Sequence, residues 1–363
     1  MLIIAGSVAF ITKRFQANRP GPYPFPYNEI KVAKSEIAKA EKADIVIIGD
    51  SATIALENQM QTFNSEVSKD FLEPLNIYNW GARGENLAFT LAKVKSLKKM
   101  PLLLIYHGGL DELDHARFLE SEINKLKINL DRAKDKELLT AIMSAPILSR
   151  FIYEPVKRVE LTTSRAFSGQ VPSHIAMKIM ELSYELYKIE ASELFGYLKT
   201  IDAKMWVIPQ AMDVSALPDR VCENTNSEDV FKTITKVEKA LKRKETKLSY
   251  NLLKESILAN KGNSKLYHLL GQTFMKMGSF TQARKAFYQA MIFDCGLRRT
   301  NPIFTKILME EAEKRDFRIF DFNRIVTNNL GHNILFLNER TPQPLYYQQL
   351  NQLLVKDFLK FIK

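Results

Sequence analysis

Cysteine is nearly absent: Cys222 and Cys295 are the only two in 363 residues. Two thiols cannot complete a metal site, and their spacing is not C-x-x-C, so a cysteine-built metal centre and a dithiol redox centre are excluded. The count alone leaves the redox compartment open. Histidine is also scarce, with only His107, His115, His174, His268 and His332 available for acid–base work. No cofactor and no metal are expected. Long apolar runs are lacking at the N-terminus, where "MLIIAGSVAFIT" gives twelve uncharged residues. That falls short of the roughly 20 needed to span a bilayer. Acidic residues are outnumbered, 41 against 52 Lys and Arg, giving a formal net charge of +11 spread thinly along the chain. The local basic clusters at 95–99 and 242–247 carry no interleaved aromatics, so nucleic acid is not an expected partner. They read as solvated faces or as contacts with anionic glycans or lipid headgroups.

The N-terminal apolar run is followed by Lys13 and Arg14, and then by "ANRPGPYPFPYNEI", which has four prolines between residues 20 and 26. Such a segment is a stiff extended spacer. Residues 1–42 therefore read as an anchor or signal remnant with its spacer. The expected location is the cell envelope, membrane-anchored or periplasmic. The basic residues behind the run favour a cytoplasmic body, so the membrane side stays open.

A hydrophobic content of 46% suits one large domain or two small ones. Strand-like apolar runs lie at 44–48, 75–80, 102–107, 204–208 and 317–322, alternating with helical patterns. That rhythm predicts a mainly parallel five-stranded sheet with helices on both faces. A helix-rich insertion covers about 112–202, a second covers 228–294, and a helix over about 343–361 closes the domain. In the second insertion Tyr267, Leu270, Gly271, Phe274, Gly278, Phe280, Ala283, Phe287 and Ala290 fall at the spacing of a tetratricopeptide repeat. The preceding "KLSYNLLKESILANKGN" resembles the second helix of a degenerate earlier unit. So short an array must lean on the sheet domain, with Tyr267, Phe274, Phe280 and Phe287 largely buried. His268 is expected at its surface. Structural packing and a peptide-binding groove are both open roles for it.

"ADIVIIGDSATIAL" (43–56) sets Ser51 on a strand-to-helix turn, where several hydrolase families hold a nucleophile. In parallel sheets, ligands bind beyond the carboxyl ends of the strands. The segments that follow the other strands are "NWGARGEN", "HGGLDE" and "LFLNERTPQPLYYQQL".

These blocks resemble those of the SGNH/GDSL hydrolases, and in particular a bacterial subgroup with a tetratricopeptide insert before the last strand. The resemblance covers roughly residues 43–111 and 263–361. It implies a three-layer α/β/α, flavodoxin-like fold. The SGNH-like domain would run over 43–227 and 295–363, split by the insert at 228–294. It also implies that Ser51 holds the nucleophile position and that Gly84, in "NWGARG", gives a backbone N–H to the oxyanion hole. "LRRTNPIFTKIL" (297–308) resembles an arginine-containing segment of the subgroup.

Three positions depart from the family pattern. In "GGLDE", Leu110 takes the place of the oxyanion asparagine. Aligning "FLNERTPQ" on F-x-D-x-x-H-P puts Asn338 in place of the aspartate and Thr341 in place of the histidine, with Phe336 and Pro342 holding the register. Losing a triad base costs on the order of 10⁶ in turnover, and losing one oxyanion donor costs about 10²–10³. His332, in a loop able to fold over Ser51, and His107, at the end of the third strand, are the candidate replacement bases. Glu339 adjoins the position of the lost aspartate. Asp50 is expected to fix its turn by accepting backbone N–H groups.

The sequence thus reads as a degenerate, catalytically impaired SGNH/GDSL-like protein of the cell envelope. It would act as a module for an acylated glycan or lipid, or for a protein partner met through the insert. Two alternatives stay open. One is an active serine esterase or O-acyltransferase using Ser51 with a relocated base. The other is a scaffold whose cleft is filled by side chains.

Overall fold

A computed structural model of the chain describes residues 30–69, 74–133, 171–222, 227–297 and 301–362. The apolar N-terminal run and nearly all of its spacer lie outside these residues, as do 134–170 of the first insertion and Arg298 and Arg299 of the 297–308 segment. The first half contains α1 (Lys34–Ala40), β1 (Ile45–Gly49), α2 (Ala52–Val67), β2 (Ile77–Asn79), α3 (Leu87–Ser96) and β3 (Leu103–Gly108). Next come α4 (Ile123–Ala133), the 28-residue α5 (Ser173–Thr200) and β4 (Met205–Pro209). Four helices follow, α6 (Glu228–Lys242), α7 (Thr246–Ala259), α8 (Ser264–Lys276) and α9 (Phe280–Ile292). The chain closes with α10 (Pro302–Glu313), β5 (Arg318–Ile319), α11 (Phe322–Thr327), β6 (Phe336–Asn338), β7 (Thr341–Pro342) and α12 (Pro344–Phe361).

Strands β1 to β5 form one parallel sheet in the order β2-β1-β3-β4-β5. Its central strands β1, β3 and β4 are buried at every position because both faces are covered, with His107 the polar exception in otherwise apolar runs, and alternate residues serve alternate layers. Val46, Ile48, Leu104, Tyr106, Met205 and Val207 face one core with α3, α5 and α10. Ile45, Ile47, Leu103, Ile105, Trp206 and Ile208 face the other with α2 and α12. A fully buried side chain of this size contributes about 1.5–3 kcal/mol over its exposed state, so both layers are needed to hold the sheet.

The fifth strand is shorter than the 317–322 run suggests. Asp321 accepts from the Arg324 N–H and starts α11, which takes Phe322 out of the sheet and into a helix. Residues 34–40, which the sequence reading placed in the spacer, are helical. Helix α1 belongs to the domain, with Ala40 buried and Val32 and Ile37 packed on the first core.

The second insertion contains two helix pairs. Val230, Val237, Leu241, Leu253, Leu266 and Leu269 form a small core of its own. Ala283 and Phe287 of α9 join the second core of the sheet, so the insert does lean on the main domain. His268 is not at the surface. It is buried, with Nε2 3.0 Å from the Ser215 carbonyl and its ring against Phe287. Of the four aromatics expected to be buried, Phe287 is, while Tyr267, Phe274 and Phe280 are half-buried. Each of those three meets a neighbouring ring, Phe293, Tyr250 and His332 respectively, and Phe274 also packs on the second core of the sheet.

Cys222 and Cys295 form a disulfide across a sequence separation of 73, closing a loop that contains the whole insert. Cross-linking a loop of that size stabilises by about 4 kcal/mol in the chain-entropy account, with typical measured values of about 2–4 kcal/mol. Replacing both cysteines with serine should lower the urea midpoint by an amount equivalent to about 2–4 kcal/mol. An unchanged midpoint would show that the neck of the insert holds without the bond.

Candidate functional site

The carboxyl ends of β1, β3 and β4 lie side by side, with Gly49 paired to His107 and Gly108 to Pro209. The chain turns sharply at Gly49, whose φ is +142°. A Cβ there would sit 2.0 Å from the His107 carbonyl oxygen, so only glycine allows this approach. Asp50 follows, almost completely buried. Its Oδ1 accepts from the Ala52 N–H at 2.8 Å. Its Oδ2 accepts from Gly109, Leu110 and Asp111 at 2.7, 2.6 and 3.2 Å. Asp50 thus fixes its own turn, and it also grips the loop beyond β3. Burial, and secondly the nearby Asp111 carboxylate, push its pKa up to about 7, against the N–H groups that favour the charged form.

Ser51 stands at the N-cap of α2 but makes no side-chain cap bond. Its backbone N–H points to Asp111 Oδ2 at 3.1 Å. The Gly84 N–H meets the same oxygen at 2.9 Å. Gly84 has a φ of +77°, and its loop is shaped from below by Lys93, which bonds the Trp80 carbonyl and the Glu85 carboxylate. The Gly84 N–H, assigned from sequence to the oxyanion hole, and the Ser51 N–H therefore converge on one point, and a carboxylate of the same chain fills it.

Leu110 is not the side chain that faces the hole. With its N–H held by Asp50, it packs on Ala52 and Met212, and Asp111 is turned towards Ser51 and Gly84. Arg340 clamps the other oxygen, Nη1 to Asp111 Oδ1 at 3.2 Å, and lies 3.8 Å from Asp114. The hairpin of β6 and β7 delivers it. Phe336 pairs with Pro342 and Asn338 with Thr341, and Asn338 Oδ1 accepts from the Arg340 N–H. Asn338 and Thr341 are thus brought to this end of the sheet, but the group their hairpin sends to Asp111 is a guanidinium. Glu339 is exposed on the same turn.

Beneath the loop, fully buried Arg117 donates to Glu112 Oε2, to the Glu112 carbonyl and to both oxygens of Glu190. Burial, only partly offset by Arg117, pushes Glu112 up to about 8. Breaking so enclosed a network by removing one partner costs about 3–5 kcal/mol, so the network anchors the segment that carries Asp111.

Neither proposed base is placed to serve Ser51. His107 is wholly buried. Its Nδ1 lies 2.8 Å from the Ile208 carbonyl and its Nε2 3.3 Å from the Tyr347 hydroxyl. The carbonyl can only accept, which puts the proton on Nδ1. Burial lowers its pKa to about 4. His332 is exposed and turns its ring to Phe280 of the insert, with centroids 4.9 Å apart. Among the described residues no hydrogen bond reaches Ser51 Oγ.

Sequence reading missed Asp111, Arg340 and His115. Reading the loop one residue later, as Gly109-Leu110-Asp111-Glu112, gives the same motif shape with Asp111 at the third position. His115 lies near Gly84, its Nε2 3.3 Å from where a Cβ on that glycine would be. Among the described residues, no group of three His, Cys, Asp or Glu side chains is arranged to hold a metal ion. Comparison of the chain with protein-family models, curated proteins and solved structures finds no match.

Because the folded pKa of His107 is lowered from 6.5 to about 4, its neutral form is favoured by folding. The associated stability is complete above pH 6.5 and is lost as pH falls through 4. Between pH 7 and pH 4.5, urea denaturation of the parent should lose about 2–3 kcal/mol more than that of His107→Gln. Equal pH slopes would show that the imidazole is not held neutral.

Proposed function

We propose that the chain is a degenerate SGNH/GDSL hydrolase-like protein, catalytically impaired, that works as a binding module of the cell envelope. Its fold is read as flavodoxin-like, with a tetratricopeptide-like insert. Its ligand is an acylated glycan or lipid at the cleft, or a protein partner at the insert. The observation that carries the impairment is the Asp111 carboxylate on the Ser51 and Gly84 N–H groups. An oxyanion would have to displace a negative charge already seated there. Family-type catalysis needs those N–H groups free as the charge develops. Ser51 also has no base within the 2.6–3.2 Å that proton transfer requires. The disulfide supports an extracytoplasmic setting, since such bonds persist in oxidising compartments. Among the described residues no helix is long and apolar enough to cross a membrane, so membrane attachment rests on the N-terminal segment.

The alternative, an active serine esterase or O-acyltransferase, has one observation in its favour. The His115 ring lies on the Gly84 side of the hole. It would still act on a hole that Asp111 fills.

Hydrolysis of activated acyl esters tests the choice. The parent should not exceed Ser51→Ala. The combination Asp111→Asn, Asn338→Asp and Thr341→His should rise above that level, since it empties the charge, restores a base and orients it. The same combination with Leu110→Asn in place of Asp111→Asn should stay silent. Strong parent turnover abolished by His115→Ala would identify a rewired enzyme instead.

A further inference from the structure

The net charge, read above as spread thinly along the chain, is in fact concentrated in the insert. Residues 228–294 carry 13 Lys and Arg against 6 Asp and Glu, most of the excess of the whole chain. Helix α6 organises part of it. Lys232, Lys236, Lys239 and Arg243 follow the i, i+4, i+7, i+11 spacing that puts side chains on one helix face. All four are exposed. The opposite face supplies Val230, Val237 and Leu241 to the core of the insert. Lys232 has an exposed ion pair with Glu228. Lys236, Lys239 and Arg243 have no carboxylate partner among the described residues. At 1.5 Å per residue the stripe is about 16 Å long, and Lys242, Lys244 and Lys247 extend its positive field around the turn into α7.

We propose that this face of α6 binds a linear acidic polysaccharide, laid along the helix with its anionic groups over successive cations. The shape of the patch favours a polymer. It is a convex row with no cage of donors for a small anion. A membrane surface fits less well, because an interfacial helix needs its apolar side free to enter the headgroup region. Here Val230, Val237 and Leu241 are used up inside the insert, and the one exposed apolar side chain of α6, Phe231, stands off the line of cations as a single residue, not a face. A single-stranded nucleic acid would call for aromatic platforms between the cations, and the stripe has none. The surface is independent of the state of the Ser51 cleft.

Retention on immobilised polygalacturonate and dextran sulfate, with neutral dextran as control, tests this on the full chain. The parent should bind both acidic polymers and not dextran. Lys236→Gln, Lys239→Gln and Arg243→Gln together should weaken binding at least tenfold. They should also lower the slope of log affinity against log salt by about 2–3, since each lost cation releases one fewer counterion. Glutamine keeps helix propensity and the stripe packs against nothing, so the melting temperature should not change. Lys95→Gln, Lys98→Gln and Lys99→Gln, outside the insert, should bind as the parent does. The proposal fails if the parent is not retained, or if both triple variants weaken equally. It also fails if anionic vesicles of phosphatidylglycerol capture the parent while the polymers do not.

Discussion

The buried carboxylate of Asp50 ties the site to the fold. It accepts one N–H from the turn after β1 and three from the loop after β3, so two strand ends are locked by a single side chain. That grip decides which side chain of the β3 loop faces the cleft. With the backbone of 109–111 pulled on to Asp50, Leu110 goes down to Ala52 and Met212, and Asp111 comes up to the Ser51 and Gly84 N–H groups. The cost is a carboxylate that is fully buried and has a second one close by, and burial first and Asp111 second push Asp50 up to about 7. Arg340 offsets part of this. Its side chain is 44% exposed, so its ion pair with Asp111 is a weak tether compared with the buried N–H donors. The hole is occupied mainly because the loop beyond β3 is built to occupy it.

The helical insert relies on the sheet in a similar way. Its own core is six buried residues, too few to hold four helices. Phe287 therefore reaches into the second sheet core, His268 bonds the Ser215 carbonyl, and the disulfide closes the neck. The outer face of α6 takes no part in this packing and stays free for charge.

The fold was legible where the physics is local. Buried parallel strands are continuous apolar runs, and the strands at 45–49, 103–108 and 205–209 announce themselves in that way. The edge of the sheet was less legible, since Phe317 to Phe322 looks like a strand until Asp321 caps a helix. In the site, Ser51 and Gly84 were readable from the glycines that their turns require. Asp111 was not. Which of two adjacent residues points into a cleft depends on a long-range grip from Asp50, sixty residues earlier, and a linear motif does not encode that contact. Arg340 was hidden for a related reason: both Glu339 and Arg340 lie between positions 338 and 341, and only the folded hairpin shows that the guanidinium reaches Asp111. The pairing of Cys222 with Cys295 depends on the insert folding back on its own neck, which spacing alone does not fix.

With its hole filled and no base on its hydroxyl, Ser51 should be chemically inert. Intact-protein mass spectrometry after exposure to a fluorophosphonate measures this directly, since the reagent needs both an activated serine and free oxyanion donors. The parent should remain unlabelled at reagent levels that label an active serine hydrolase to completion. Stoichiometric addition of one phosphonyl group, mapped to Ser51 and absent in Ser51→Ala, would contradict it.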